Sequence, residues 1–226
     1  MSVTENHTYS RGTAIFQAAA ESFGVQLNEG QAEEWRSLIK AAFVLDGILD
    51  SDLPQSEREF SFDRAIPELI YPLAENWDQQ KLDRIVDAAM HVKDIASEKR
   101  AATSARKLGD LAIYEGIETK RFLQLEDAEE ISIANFNGWL EVLLPFGVVV
   151  DTSIDLPEDY TNGLTQVNPS IINRALIASR GFKYVNRLAS TTPAKLYRPL
   201  IVAAKAVTMD TNKDMVSNTQ DETETM

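Results

Sequence analysis

Apolar positions recur at helical spacing along almost the whole chain, and nowhere do apolar and polar residues alternate over the length of a strand. Residues 12–23 are Ala-rich and contain no helix breaker. Asn28 with Gln31 has the form of a capping box. Behind it Trp35, Leu38, Ile39, Ala42, Leu45 and Leu49 keep the helical repeat to about residue 51. Ser56 and Glu59 form a second such pair after Pro54, predicting a helix toward Trp77 with a kink near Pro67. Asp78 opens a helix to about residue 97, with Leu82, Ile85, Val86, Ala89 and Val92 inward, and another covers roughly 101–125. Asp127 with Glu130 opens a long one, from 128 to about 155, bent near Pro145-Phe146-Gly147. Asn168-Pro169 and Thr192-Pro193 each set a cap residue before a proline, predicting helices over about 169–189 and 193–208. The pattern predicts an all-α, single-domain bundle of about eight helices over residues 12–209. A flexible N-terminus, 1–11, precedes it, and an acidic tail, 210–226, has too little to bury to fold.

Composition narrows the chemistry. The chain has 226 residues, 44% of them hydrophobic and 25% charged, enough for one sizeable core. It has no cysteine, which excludes disulfides, thiol catalysis and zinc–thiolate sites. No run of eighteen apolar residues predicts a membrane span, and the first eleven residues lack the apolar stretch of a signal peptide, so the expected location is cytoplasmic. A net charge of −13 argues against non-specific nucleic-acid binding. That charge is segregated: residues 1–159 carry −16, residues 160–209 carry +7 with no Asp or Glu, and residues 210–226 carry −4. The basic stretch fits two accounts, a basic helix pair packed beside acidic ones, or cations such as Arg174, Arg180, Lys183 and Arg187 that reach a phosphate-like anion.

The change of sign follows an acidic cluster. Two clusters are fused to apolar runs: Ala41-Ala42-Phe43-Val44-Leu45-Asp46-Gly47-Ile48-Leu49-Asp50, and Val148-Val149-Val150-Asp151-Thr152-Ser153-Ile154-Asp155-Leu156-Pro157-Glu158-Asp159. Carboxylates four apart share one helix face. Spacing alone says little, because Asp83/Asp87 and Asp210/Asp214 have it too; the setting distinguishes the other pairs. Asp46 shares a face with Ala42 and Phe43, and Asp151 shares one with Leu144 and Val148, so both pairs end an apolar stripe where a pocket mouth would lie. Acids there repel and lose solvation unless a cation sits between them. Two facing sets suit magnesium held against a diphosphate, with the apolar stripe lining a hydrocarbon pocket. Pro157 biases Leu156 away from helix and sets Asp159 on a loop.

Asp46-Gly47-Ile48-Leu49-Asp50 resembles the first aspartate-rich motif of class I isoprenoid synthases. Asp155-Leu156-Pro157-Glu158-Asp159-Tyr160-Thr161-Asn162-Gly163 is similar to the second motif of their squalene and phytoene synthase branch. Glu115-Gly116-Ile117-Glu118-Thr119-Lys120-Arg121 resembles a helix segment of the small farnesyltransferase of moenomycin biosynthesis, which has the same fold. The resemblance implies a central apolar pocket, Mg2+ held by Asp46, Asp50, Asp151, Asp155 and Asp159, and an isoprenyl diphosphate substrate contacted by Lys120 or Arg121. It implies an enzyme that ionises an allylic diphosphate to a carbocation; a homodimer is left open. The first cluster, with Glu57, is also similar to the acidic turn of the tellurite-resistance helical domain, which would imply a non-catalytic metal-binding or adaptor protein. Other signals are bland. Glu115 and Glu118 read as helix-surface charges, His91 as half-buried and structural, and Trp35, Trp77 and Trp139 as core anchors. No glycine-rich phosphate loop and no Ser-His-Asp spacing appear.

Overall fold

Asn28 opens its helix as the spacing predicts. Its side chain accepts the Gln31 backbone N–H at 2.9 Å, while the Gln31 side chain accepts the Asn28 N–H at 3.0 Å, so two orphan donors are satisfied reciprocally. The computed structural model describes residues 14–51, 53–126, 130–194 and 196, and no strand occurs among them. The chain is all-α: α1 (14–22), α2 (Glu29–Leu49), α3 (Gln55–Leu69), a 3-10 turn (Tyr71–Asn76), α4 (Gln79–Ala101), α5 (Ala105–Leu123), α6 (Ile131–Thr161) and α7 (Ile171–Thr191). The expected N-terminal segment 1–11, the tail 210–226, Asp127 and most of the expected helix 193–208 lie outside the described residues.

Several boundaries differ from the pattern for identifiable reasons. Ser56 caps nothing: α3 starts one residue earlier, behind Pro54, whose carbonyl accepts from Glu57 and Arg58. That helix passes through Pro67 and then tightens into the 3-10 turn before Trp77. α7 begins at Ile171, because Ser170 rather than Asn168 accepts the Asn173 backbone N–H, at 3.2 Å. Asn168 offers its carbonyl to the Asn173 side chain instead, at 2.8 Å.

α6 organises the rest. It packs against α5 and α7, and α5 in turn packs against α4. Its composition would suit a membrane crossing, yet Phe136, Trp139, Leu140, Val142, Val149 and Leu156 are all buried in the protein. Trp139 donates to Thr192 at 3.0 Å, and Trp35 donates to the Leu123 carbonyl at 2.9 Å. These anchor an aromatic group of Phe23, Trp35, Phe136 and Trp139 with ring centroids 5.6–5.9 Å apart, inside the range of favourable ring pairs.

Two prolines shape α6, and both have local compensation. Pro145 meets Gly116 of α5, where an added Cβ would lie 2.4 Å from the Pro145 Cα. Only glycine allows the two backbones this close. Pro157 lacks the N–H that would bond the Ser153 carbonyl, and the Arg174 guanidinium donates to that carbonyl at 3.0 Å. Ser153 returns a bond from its hydroxyl to the Arg174 carbonyl, also at 3.0 Å. The helix therefore continues to Thr161, and Asp159 is helical rather than in a loop.

Gly116→Ala is expected to lower stability by about 1–3 kcal/mol, the usual cost of overpacking, read as a reduced urea midpoint. Gly47→Ala meets no atom within 4 Å and should leave that midpoint unchanged or raise it. Arg174→Met leaves the Ser153 carbonyl without its donor and should cost about 1–3 kcal/mol in the same measurement.

Candidate functional site

The continuation of α6 through Pro157 puts Asp151, Asp155 and Asp159 at successive turns on one face. α2 presents Asp46 and Asp50 the same way, Asp46 lying one turn beyond Ala42 and Phe43. All five aspartates line one cavity of about 260 Å3. Its apolar wall holds Ile39, Ala42, Phe43 and Leu45 from α2, Ala89 and Val92 from α4, Phe122 and Leu123 from α5, and Leu144 and Val148 from α6. Phe16 of α1 and Phe62 of α3 complete it. The expected pocket residues Ala42, Phe43, Leu144 and Val148 are all among these.

Between the two acidic faces lies an ion pair that the sequence did not signal as special. The Lys99 ammonium of α4 donates to the Glu115 carboxylate of α5 at 2.8 Å, and both line the cavity. Glu115 is 9% exposed, not the surface charge its composition suggests. Both could have been found. Glu115 falls within the buried row Leu108, Leu111, Ala112, Phe122 of α5, and Lys99 continues the row Ile85, Ala89, Val92 of α4.

The electrostatics follow from crowding. Asp46, Asp50 and Asp151 are exposed on the cavity side and Asp155 and Asp159 half-buried, while protein crowds all five from the other sides and lowers their solvation. Burial, then Asp50, Glu115 and Asp151, raise the Asp46 carboxyl well above its ordinary 3.8, Lys99 opposing them. Burial also raises Asp50 and Asp155, and it pushes Asp151 and Asp159 up to about 6. Asp159 interacts with Asp50 and Asp151, so the α2 and α6 acids act on one another across the cavity. Burial would lower the Lys99 ammonium, but Glu115, Asp50 and Asp46 outweigh it and hold the charge firmly.

More cations stand at the end of α2. Arg100 interacts with Asp50 and Asp159, with Arg58 close by. Arg100 donates to the Leu49 carbonyl, and Arg58 donates to the carbonyls of Ser51, at 3.3 Å, and Leu53. These bonds satisfy carbonyls around the C-terminal end of α2, where positive charge is favoured.

None of the six cations expected to reach a phosphate, Lys120, Arg121, Arg174, Arg180, Lys183 and Arg187, lines the cavity. Lys120 and Arg121 line a separate recess with Arg84 and Glu141, and Arg121 pairs with Glu118 at 2.6 Å. Arg180 pairs with Asp110 of α5 through Nε at 2.7 Å. Arg174 serves the α6 backbone. The basic stretch thus follows the packing account at these two positions. His91 is exposed and lies 3.4 Å from Glu118, outside the cavity.

Among the described residues, no group of three or more His, Asp or Glu is arranged to hold a metal ion. The acids line two walls instead, so a cation there would need further oxygens from water or a ligand. In comparisons with family models, curated proteins and solved structures, nothing matches the chain.

Asp151 and Asp159 retain protons near pH 5 in the folded protein that the unfolded chain, titrating near 3.8, has released. Their contribution to stability is therefore greatest below pH 4 and is lost as pH rises through about 6. In chelator, the double variant Asp151→Asn/Asp159→Asn should gain stability over the parent at pH 7.5 and little at pH 4, read from urea midpoints.

Proposed function

We propose that the protein is a magnesium-dependent isoprenoid synthase or prenyltransferase of the class I type, a single domain whose helices wall a central apolar pocket. One observation carries the reading: acids from two helices about a hundred residues apart line the same cavity as a set of aromatic and aliphatic side chains. Such a cavity suits an amphiphile with an anionic head and a hydrocarbon tail, hence an allylic isoprenyl diphosphate.

The donor set fits magnesium, which takes hard oxygens, few of them from protein, and keeps places for water and phosphate. Asp46 and Asp50 would hold it from α2, and Asp151, Asp155 and Asp159 from α6. Bound there, it would neutralise charge developing on the departing diphosphate. Lys99, Arg100 and Arg58 are the cations near these acids, and in this reading they take the diphosphate-binding role first expected of Lys120, Arg121, Arg174 and Arg180. The allylic carbon–oxygen bond breaks with its electron pair leaving on the diphosphate oxygen. The carbocation left behind lies among Phe43, Phe62 and Phe122, whose ring faces favour positive charge. The surrounding apolar wall keeps water from capturing it before an alkene or other acceptor does.

With magnesium and geranyl, farnesyl or geranylgeranyl diphosphate, the protein should release pyrophosphate. Asp46→Ala and Asp155→Ala should each reduce the rate by about 10²–10³, the scale of losing one electrostatic stabiliser, while Asp83→Ala should match the parent. No release with any of the three, together with no thermal shift from magnesium plus a non-hydrolysable diphosphate, would overturn the proposal. A shift with magnesium alone and no turnover would favour the non-catalytic metal-binding reading.

A further inference from the structure

α7 carries large apolar side chains that the other described residues leave exposed. Ile171 is 84% exposed, Ile172 72% and Phe182 70%, with Leu176 and Val185 above 40%. They are not scattered. Ile171, Ala175, Ala178, Phe182 and Val185 follow one another at steps of four and three, a continuous row along one side of a helix. Ile177, Gly181 and Tyr184 are the buried positions that hold the helix to the protein. A row of this kind on an exposed helix marks a contact surface rather than chance exposure.

The charge around the row identifies the partner. α7 contains Arg174, Arg180, Lys183 and Arg187 and no Asp or Glu, in a protein whose net charge is −13. Arg174 and Arg180 are engaged with Ser153 and Asp110, whereas Lys183, whose ammonium lies over the Tyr184 ring at 5.0 Å, and Arg187 are exposed on α7. Two copies meeting through α7 would bring like charges together. An anionic lipid surface would meet apolar side chains and cations at once, which is how interfacial helices bind. The segregation also has a use: an acidic protein is repelled by such a surface except where its basic side faces it.

We propose that α7 docks the protein on anionic membrane surfaces, lying in the interface with Ile171, Ile172, Phe182 and Val185 inserted and Lys183 and Arg187 at the headgroups. The helix is roughly 30 Å long, and its first turn is tied to α6 by the bonds between Arg174 and Ser153. The surface stands on α7 alone and does not depend on what the cavity binds.

The test is sedimentation of the full chain with vesicles of phosphatidylcholine alone and of phosphatidylcholine mixed with phosphatidylglycerol, without substrate or added metal. Binding should be roughly tenfold stronger to the anionic vesicles and weaken in high salt. It should fall at least as much for Phe182→Asp and for Lys183→Glu, with unchanged helical circular dichroism. Because Ile171 and Ile172 are also exposed, Ile171→Ser/Ile172→Ser serves as a second variant that leaves the fold intact. No binding to either vesicle, or equal binding by parent and variants, would overturn the proposal. So would a dimer in light scattering that Phe182→Asp splits while vesicles bind nothing, since a second copy would then cover the row.

Discussion

Lys99 reaches Glu115 at 2.8 Å, and its ammonium is the charge that opposes the crowding of five aspartates around one cavity, while Glu115 adds to that crowding. Carboxylates gathered in a poorly solvated space raise one another's proton affinity, and every aspartate on both walls is shifted that way. A buried ion pair is by itself weak evidence of stabilisation, because desolvation offsets attraction. Here the ammonium faces more than one acid, as its interactions with Glu115, Asp50 and Asp46 show. The arrangement concentrates negative charge at some cost to the fold, the kind of local conflict that functional sites retain.

That concentration depends on backbone details far from any charge. α5 brings Glu115 and Thr119 to the cavity because Gly116 lets it approach Pro145. α6 brings Asp159 there because Arg174 accepts the duty of bonding the carbonyl that Pro157 leaves unpaired. An arginine that charge patterning marks as a phosphate ligand thus acts on the site through the helix. The same reasoning explains why Arg180, fixed on Asp110 across the α5–α7 contact, has no part in the cavity.

Legibility followed the physics of each signal. Periodicity alone revealed the helices and the setting of Asp46 and Asp151, since a stripe ending in acids is a local property. The Asn28 cap was readable because both partners lie within one turn. Asp159 was misplaced because the penalty of a proline is local while its remedy, Arg174, comes from another helix. Ser56 and Asn168 satisfy the composition of a cap, yet neighbouring residues reach the open N–H groups or start the turn first. Lys99 was overlooked, and Glu115 read as a surface charge, for a different reason. Each is one charge in an amphipathic helix, and only the register of α4 against α5 makes them partners.

The charge pattern also limits how an anion can bind. Acids outnumber nearby cations at this end of the cavity, so a diphosphate entering alone would meet net repulsion. A divalent cation entering alone would find carboxylates on two walls but, among the described residues, no group of three arranged to hold it. Each ligand supplies what the other lacks, the cation its positive charge and the diphosphate its oxygens. In the proposed reading, binding of the two would be mutually favourable, and linkage would make the favour equal in both directions. The raised proton affinities belong to the same balance, because protons and metal ions compete for the same oxygens. In the proposed reading, the site's charges would balance only when both ligands are present.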